Sequence, residues 1–155
     1  SADVDWFAHD ANPVRMADLP ARAKRAGIEV ELLDAVALDR RIEDGQRFDL
    51  VLCDVPCSGS GTWRRNPDAK WRLLPEGLNE LIEVQREILR MAACAVAAKG
   101  ALVYTTCSVL KRENDAQMSW FQNVQPEWQL RDKAVFPVTA QADGFFYALL
   151  QRNDG

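Results

Sequence analysis

The chain has 155 residues, 48% of them hydrophobic, which is enough to bury one core and too little for two ordinary domains. Its 23 acidic and 19 basic side chains leave a formal charge of −4, which excludes coating of nucleic acid through bulk positive charge but allows a local basic patch. No stretch is long and apolar enough to span a bilayer, and the first residues lack the basic and apolar regions of a secretion signal, so a cytoplasmic location is expected.

Val4 to Ala8 predicts a strand, and Pro13 to Ala26 a helix with Asn12 as N-cap, Pro13 in the first turn and Gly27 as its stop. Ile28 to Leu33 predicts the next strand. A polar connection containing Asp44-Gly45 then leads to the apolar run Phe48 to Cys53, which has the length and composition of a buried strand. After a long loop, Leu78, Leu81, Ile82, Ile88, Leu89, Ala92, Ala95 and Val96 recur at helical spacing, and Gly100 is expected to close this longest helix. A strand over 101–106 follows, then a short helix from Glu113 to Phe121 and strands at Trp128 to Leu130 and Phe145 to Gln151. Strands alternating with helices predict an α/β fold with a mainly parallel sheet, in one domain over 1–155.

The chemistry concentrates where two strands end. Asp54-Val55-Pro56-Cys57-Ser58-Gly59-Ser60-Gly61 follows the strand over 48–53, and Cys107 follows the strand over 101–106, with Ser108 and Glu113-Asn114 beyond it. Ligands of open α/β sheets bind outside the carboxyl ends of the strands. Cys57, Cys107 and Asp54 are therefore expected at one sheet edge, facing one cleft. Cys53 and Cys94 fall inside apolar strand and helix patterns and are expected to be buried, reduced thiols. With no Cys-x-x-Cys pair and His9 as the single histidine, no metal site is expected, and a thiol redox protein built on Cys57 and Cys107 is disfavoured.

From the residues alone, blander readings stay open: Cys57 as filler of a tight turn, Cys107 as a core thiol, Asp10 as a stabiliser of the helix that follows, Asp34 as a solvated turn residue. The loop from Trp63 to Arg72 interleaves Trp63 and Trp71 with Arg64, Arg65, Lys70 and Arg72. Such a loop either meets phosphates and stacks on an extruded base, or is a solvated charged segment anchored by two tryptophans.

Four blocks together resemble the Sun-type (Fmu-type) RNA 5-methylcytosine methyltransferases: Asp10-Ala11-Asn12-Pro13 with Arg15, Asp54 to Gly61 with the Arg-Arg-x-Pro-Asp-x-Lys-Trp loop, Thr106-Cys107-Ser108 with Glu113-Asn114, and Asp143-Gly144-Phe145-Phe146. The resemblance implies a Rossmann-like fold, S-adenosylmethionine as cofactor and RNA, ribosomal or transfer, as partner. It assigns to Cys107 the thiolate that attacks carbon 6 of cytosine, to Cys57 a role in releasing the product, and to Asp54 a hydrogen bond at nitrogen 3 of the ring. Asp10, Asp34, Asp54 and Pro56 are implied on the cofactor side, and Arg64, Arg65 and Lys70 on the RNA side. The three basic groups are also expected to supply the positive charge that lowers the thiol pKa.

Relative to that family, the first strand, the glycine-rich loop after it and an active-site lysine are not among these residues. The sheet is therefore expected to be truncated at its N-terminus, and the chain alone to bind cofactor weakly and to be inactive. The strands over 4–8 and 48–53 are expected either to pair directly or to borrow a strand from a second copy, since unrepaired edges would promote self-association. The competing expectation is a non-catalytic RNA-binding or folding module derived from such an enzyme.

Overall fold

The computed structural model describes residues 4–153. The chain divides into two compact units, one ending at Arg47 and the other beginning at Phe48.

In the first unit, strands β1 (Trp6–Ala8) and β2 (Val30–Leu32) pair in parallel, with Trp6 opposite Val30 and Ala8 opposite Leu32. The single helix expected over 13–26 is broken into a 3-10 turn at Pro13–Met16 and helix α1 at Leu19–Arg25. Pro20, in the first turn of α1, has no N–H to donate back to the preceding turn, so it starts a helix rather than continuing one. Asn12 caps as expected, its side-chain oxygen accepting from Val14 N at 3.2 Å, and Gly27 leaves the helix at φ +75°. Helix α2 (Ala35–Glu43) occupies much of the expected polar connection. Asp34 caps it by accepting from Ala37 N at 2.7 Å, and Gly45, at φ +80°, turns the chain away from its end. His9 has a structural partner: its Nδ1 lies 2.9 Å from Leu33 O.

The second unit contains β3 (Phe48–Asp54), α3 (Pro67–Arg72), α4 (Pro75–Ala95), β4 (Val96–Thr106), α5 (Asp115–Val124), β5 (Trp128–Phe136) and β6 (Phe145–Arg152). Its sheet has the order β3-β4-β6-β5, with β3 and β4 parallel and β6 antiparallel to both neighbours. The expected mainly parallel sheet is thus corrected to a mixed one, because β5 and β6 are joined by the short 137–144 connection, which permits only antiparallel pairing. Among the described residues β1 pairs with β2 and β3 with β4, so of the two expected repairs the direct ladder between the strands over 4–8 and 48–53 is not found.

Alternation along the strands sends one set of side chains under α4 and α5. Leu102, Tyr104 and Thr106 of β4 lie opposite Leu150, Ala148 and Phe146 of β6, and all six are fully buried. Leu89 of α4, Phe121 of α5 and Trp128 of β5 complete this core, with the Phe121 and Trp128 ring centroids 5.9 Å apart. On β3, Val51 and Cys53 face this core. No helix among the described residues is long and apolar enough to cross a membrane.

The longest helix ends at Ala95, five residues before the expected stop, and Gly100 lies inside β4. Between the pairs Phe48/Val96 and Leu50/Ala101, β4 spends extra residues in a bulge. Gly100 is needed there for close approach rather than for helix termination, since a Cβ would lie 2.7 Å from Val96 Cγ1 and 2.9 Å from Asp49 O. Cys94 is exposed, against expectation: in the last turn of α4, Ala92, Ala93 and Ala95 take the buried positions and Cys94 turns outward with Met91. Two glycine substitutions are expected to act in opposite directions. Gly100→Ala lowers the free energy of unfolding by about 1–3 kcal/mol through overpacking, whereas Gly77→Ala in α4, with nothing within 4 Å of the added methyl, raises it by up to ~1 kcal/mol. Urea midpoints for the two variants check both signs.

Candidate active site

Because β3 and β4 run in parallel, the turns that follow them emerge at the same sheet edge. Cys57 and Cys107 meet there with their sulfurs 3.4 Å apart, both thiols free and half-buried. Asp54, the last residue of β3, lies opposite Thr105, whose hydroxyl donates to Cys53 O at 3.2 Å and reaches Asp54 Oδ1 at 3.5 Å. Asp54 and Pro56 are exposed at this edge.

Glu113 fixes the two turns relative to each other, a role the sequence reading did not give it. Its side chain is fully buried and accepts four hydrogen bonds: from Ser58 N at 2.8 Å, Ser58 Oγ at 2.6 Å, Ser108 Oγ at 2.5 Å and Gln85 Nε2 at 3.0 Å. Ser58 and Ser108 each follow a thiol-bearing residue, so one carboxyl group ties both cysteine turns to α4. Gln85 also donates to Pro56 O at 2.9 Å and accepts from Gln117 Nε2 at 2.8 Å. The sequence carried a signal for this network, since Gln85 and Gln117 are polar residues at core positions of α4 and α5. Such positions are occupied only when every polar group is satisfied.

Two glycines make the third join. Gly61 N donates to Cys107 O and Gly144 N donates to Gly61 O, both at 2.9 Å. A Cβ on Gly61 would overlap Gly144 O and stand 2.7 Å from Cys107 O, so this crossing admits no side chain. The Asp143-Gly144-Phe145-Phe146 segment is thereby drawn to the thiol edge, with Phe146 in the core and Phe145 exposed.

The two thiols titrate in opposite senses. Cys107 is lowered to about 7, chiefly because the Cys57 thiol donates to it and with help from its own backbone N–H, against burial and the charges of Asp54 and Glu113. Cys57 is pushed well above the usual thiol range, first by that same hydrogen bond and then by burial. Cys107 is therefore the thiol that ionises, and Cys57 the one that keeps its proton. The expectation that Arg64, Arg65 and Lys70 supply the charge is corrected: the leading influence on Cys107 is the neighbouring thiol.

The basic residues have other partners. Arg65 donates through Nε to Asp143 Oδ2 at 2.7 Å and pairs with the same oxygen through Nη2, while Arg64 Nη2 stands 3.8 Å from Asp143 Oδ1. The Arg65 guanidinium holds the Asp143 carboxyl below its usual range. Lys70 lies over the Trp71 ring at 5.5 Å, and Trp71 is 79% exposed on α3, a helix within the expected loop. Pro67 at its first turn, followed by Asp68, accounts for that helix.

In the other unit, Asp10 and Asp34 follow the parallel strands β1 and β2 at one edge of their sheet. Each uses one carboxylate oxygen locally, Asp10 accepting from Asn12 N and Asp34 from Ala37 N, both at 2.7 Å. Among the described residues the other oxygen of each has no hydrogen-bond donor, so the two carboxylates offer acceptors of the kind that suit the hydroxyl and amino donors of a nucleoside. Among the described residues, no group of His, Cys, Asp and Glu side chains has the arrangement of a metal site.

A sequence profile of the family described as 16S rRNA methyltransferase RsmB/F matches residues 2–151. The chain is 34% identical over 96% of its length to a ribosomal RNA small subunit methyltransferase B of Salmonella arizonae, and 36% identical over 92% to that of Sodalis glossinidius. It spans 37% and 35% of those proteins, a little over a third of the length of the curated relatives it matches. Among solved structures, PH0851 superposes with a TM-score of 0.84 at 37% identity, covering 96% of this chain and 37% of that one. NSun6 from Pyrococcus horikoshii has the same fold, with a TM-score of 0.79 at 22% identity over 97% of this chain and 42% of that one.

The thiol assignment leads to a pH test. Alkylation of Cys107 by iodoacetamide is expected to rise as pH increases through about 7, and Cys57→Ala, which removes the donor, is expected to move that midpoint up toward the ordinary thiol value. Mass spectrometry of the Cys107 peptide gives the rate, and an unmoved midpoint would refute the assignment. Glu113→Ala leaves four donors without their acceptor. It is expected to lower stability by about 3 kcal/mol or more in urea unfolding.

Proposed function

The chain belongs to the 16S rRNA methyltransferase RsmB/F family of S-adenosylmethionine-dependent RNA cytosine-5 methyltransferases, and from that membership we propose that its paired thiols serve the transfer of a methyl group from S-adenosylmethionine to carbon 5 of a cytosine in RNA. The observation that carries the proposal is the 3.4 Å contact between Cys57 and Cys107, with the ionising thiol at Cys107. Two thiols at one edge, one poised to lose its proton and one to retain it, suit a reaction that needs a nucleophile and then a release step.

Carbon 5 of cytosine is a poor nucleophile. In the proposed route the Cys107 thiolate adds to carbon 6, forming a sulfur–carbon bond and making carbon 5 enamine-like, which is nucleophilic catalysis dividing one hard step into easier ones. Asp54 hydrogen-bonds the ring at nitrogen 3 and favours the adduct, and Pro56 shapes the turn that presents the base. S-adenosylmethionine supplies the electrophilic methyl group that carbon 5 takes up. Once Cys107 is bonded to carbon 6, the Cys57 thiol has lost its anionic acceptor and is released to act on the adduct. Cys57 then gives its proton to solvent, its thiolate takes the carbon-5 proton, and the electrons of that C–H bond expel Cys107 as a thiolate, breaking the sulfur–carbon bond and freeing the methylated base.

Asp10 and Asp34 are proposed to hold the nucleoside part of the cofactor through their other carboxylate oxygens. Arg64, Arg65 and Lys70 are proposed to meet RNA phosphates. Support for this comes from their exposure beside two tryptophans in a chain whose bulk charge is negative. Within the proposal the chain supplies part of one catalytic domain, inactive by itself and located in the cytoplasm, with RNA as partner.

The two cysteines are expected to fail differently in a methylation-competent form of the protein. Cys107→Ala abolishes both methyl transfer and any covalent protein–RNA complex. Cys57→Ala leaves attack intact and hinders release, so turnover falls while a denaturation-resistant, nuclease-sensitive band accumulates on gels. A band with Cys107→Ala alone would reverse the roles, and full turnover in both variants would end the thiol mechanism.

A further inference from the structure

Cys57 and Cys107 are fifty residues apart in sequence and approach sulfur to sulfur at 3.4 Å without a bond between them. A disulfide needs about 2.05 Å, so closure requires about 1.4 Å of approach from 3.4 Å. We propose that this pair is an oxidative modification site, closing to a reversible disulfide on reaction with a hydroperoxide.

The surrounding structure favours closure over competing fates. Glu113 bonds Ser58 and Ser108, the residue after each thiol, and Gly61 N bonds Cys107 O, so the sulfurs are held together rather than meeting by loop diffusion. Both thiols are half-buried, within reach of a small peroxide, whereas Cys53 is buried and Cys94 faces outward from α4.

The chemistry balances in two steps. The Cys107 thiolate attacks a peroxide oxygen, the O–O bond breaks, and the sulfur becomes a sulfenic acid while the peroxide is reduced to an alcohol, or to water in the case of hydrogen peroxide. The Cys57 sulfur then attacks the Cys107 sulfur, an S–S bond forms, the S–O bond breaks, and hydroxide leaves with the Cys57 proton as water. Overall, two thiols and one hydroperoxide give a disulfide, an alcohol and water. A nearby thiol intercepts the sulfenic acid before further, irreversible oxidation. The disulfide rests on geometry alone, whereas its consequence, loss of nucleophile and release group together, rests on the proposed function.

The test uses the reduced chain treated with stoichiometric hydrogen peroxide and quenched with N-ethylmaleimide. Free thiols are expected to fall from four to two, intact mass to fall by about 2 Da through loss of two hydrogens, and a non-reducing digest to contain the Cys57 and Cys107 peptides joined. Dithiothreitol restores all four thiols. In Cys57→Ala, with no partner, Cys107 instead gains oxygen. The proposal is overturned if wild-type Cys107 advances to sulfinic acid with Cys57 still free, or if the lost thiols map to Cys53, Cys94 or a link between chains. None of these readouts involves RNA or cofactor, so full turnover by both cysteine variants of a methylation-competent form would overturn the proposed function and leave this result standing.

Discussion

Glu113 enters from the turn before α5 and meets only neutral donors: a backbone N–H, two hydroxyls and an amide. A buried carboxyl group is stable only when its lone pairs are used, and here four donors converge on two oxygens. Tyr104 holds the same residue from the sheet side, its hydroxyl donating to Glu113 O at 2.7 Å. The turn after β3, the turn after β4 and the middle of α4 therefore share one acceptor and cannot shift independently. Thr106 and Asn114 extend this join, with Thr106 Oγ1 donating to Asn114 Oδ1 at 2.7 Å and Asn114 Nδ2 to Ser108 O at 2.9 Å. The thiol pair is a consequence of that arrangement rather than its cause.

The electrostatics of the edge are restrained. Asp54 and Glu113 oppose ionisation of Cys107, and a hydrogen bond from a neutral thiol favours it. A thiolate stabilised by a strong cation is abundant but less nucleophilic, and reactivity is greatest when the thiol pKa lies near the ambient pH. Keeping the guanidinium groups engaged with Asp143 serves this balance, because Arg65 spends its charge on a carboxylate beside the edge. Arg64 and Arg65 are thus held by Asp143 without dominating the nucleophile.

Apolar periodicity made the strands and α4 legible in the sequence, and the thiols could be placed at one edge because both follow strands of one sheet. What was not legible has particular causes. Asp34 followed by Ala35 to Glu43 reads as polar, but an aspartate cap, good helix formers and Gly45 together make α2. Gly100 has the sequence signature of a helix stop, and its actual role depends on the proximity of Phe48 and Asp49, a tertiary fact. Cys94 fits the apolar pattern of α4 yet falls on its outer face, because three alanines around it take the inner one. The Glu113 network was the deepest omission. Glutamine and glutamate at core positions were visible, but apart from Ser108, five residues from Glu113, the partners that tie the network together are 28 to 55 residues away.

The contact between the two sulfurs spans fifty residues of sequence and depends on a parallel strand pair separated by α4. Parallel pairing across a helical crossover is non-local and forms slowly, after loop-closure entropy has been overcome. In a newly synthesised chain, the first cysteine of the pair has no neighbour until β4, the turn after it and Glu113 have been added and have docked. Before that moment its thiol carries ordinary chemistry. The distinctive acidity of Cys107 therefore arises with the last long-range contacts, and an unfolded or half-made chain does not present a reactive thiol prematurely.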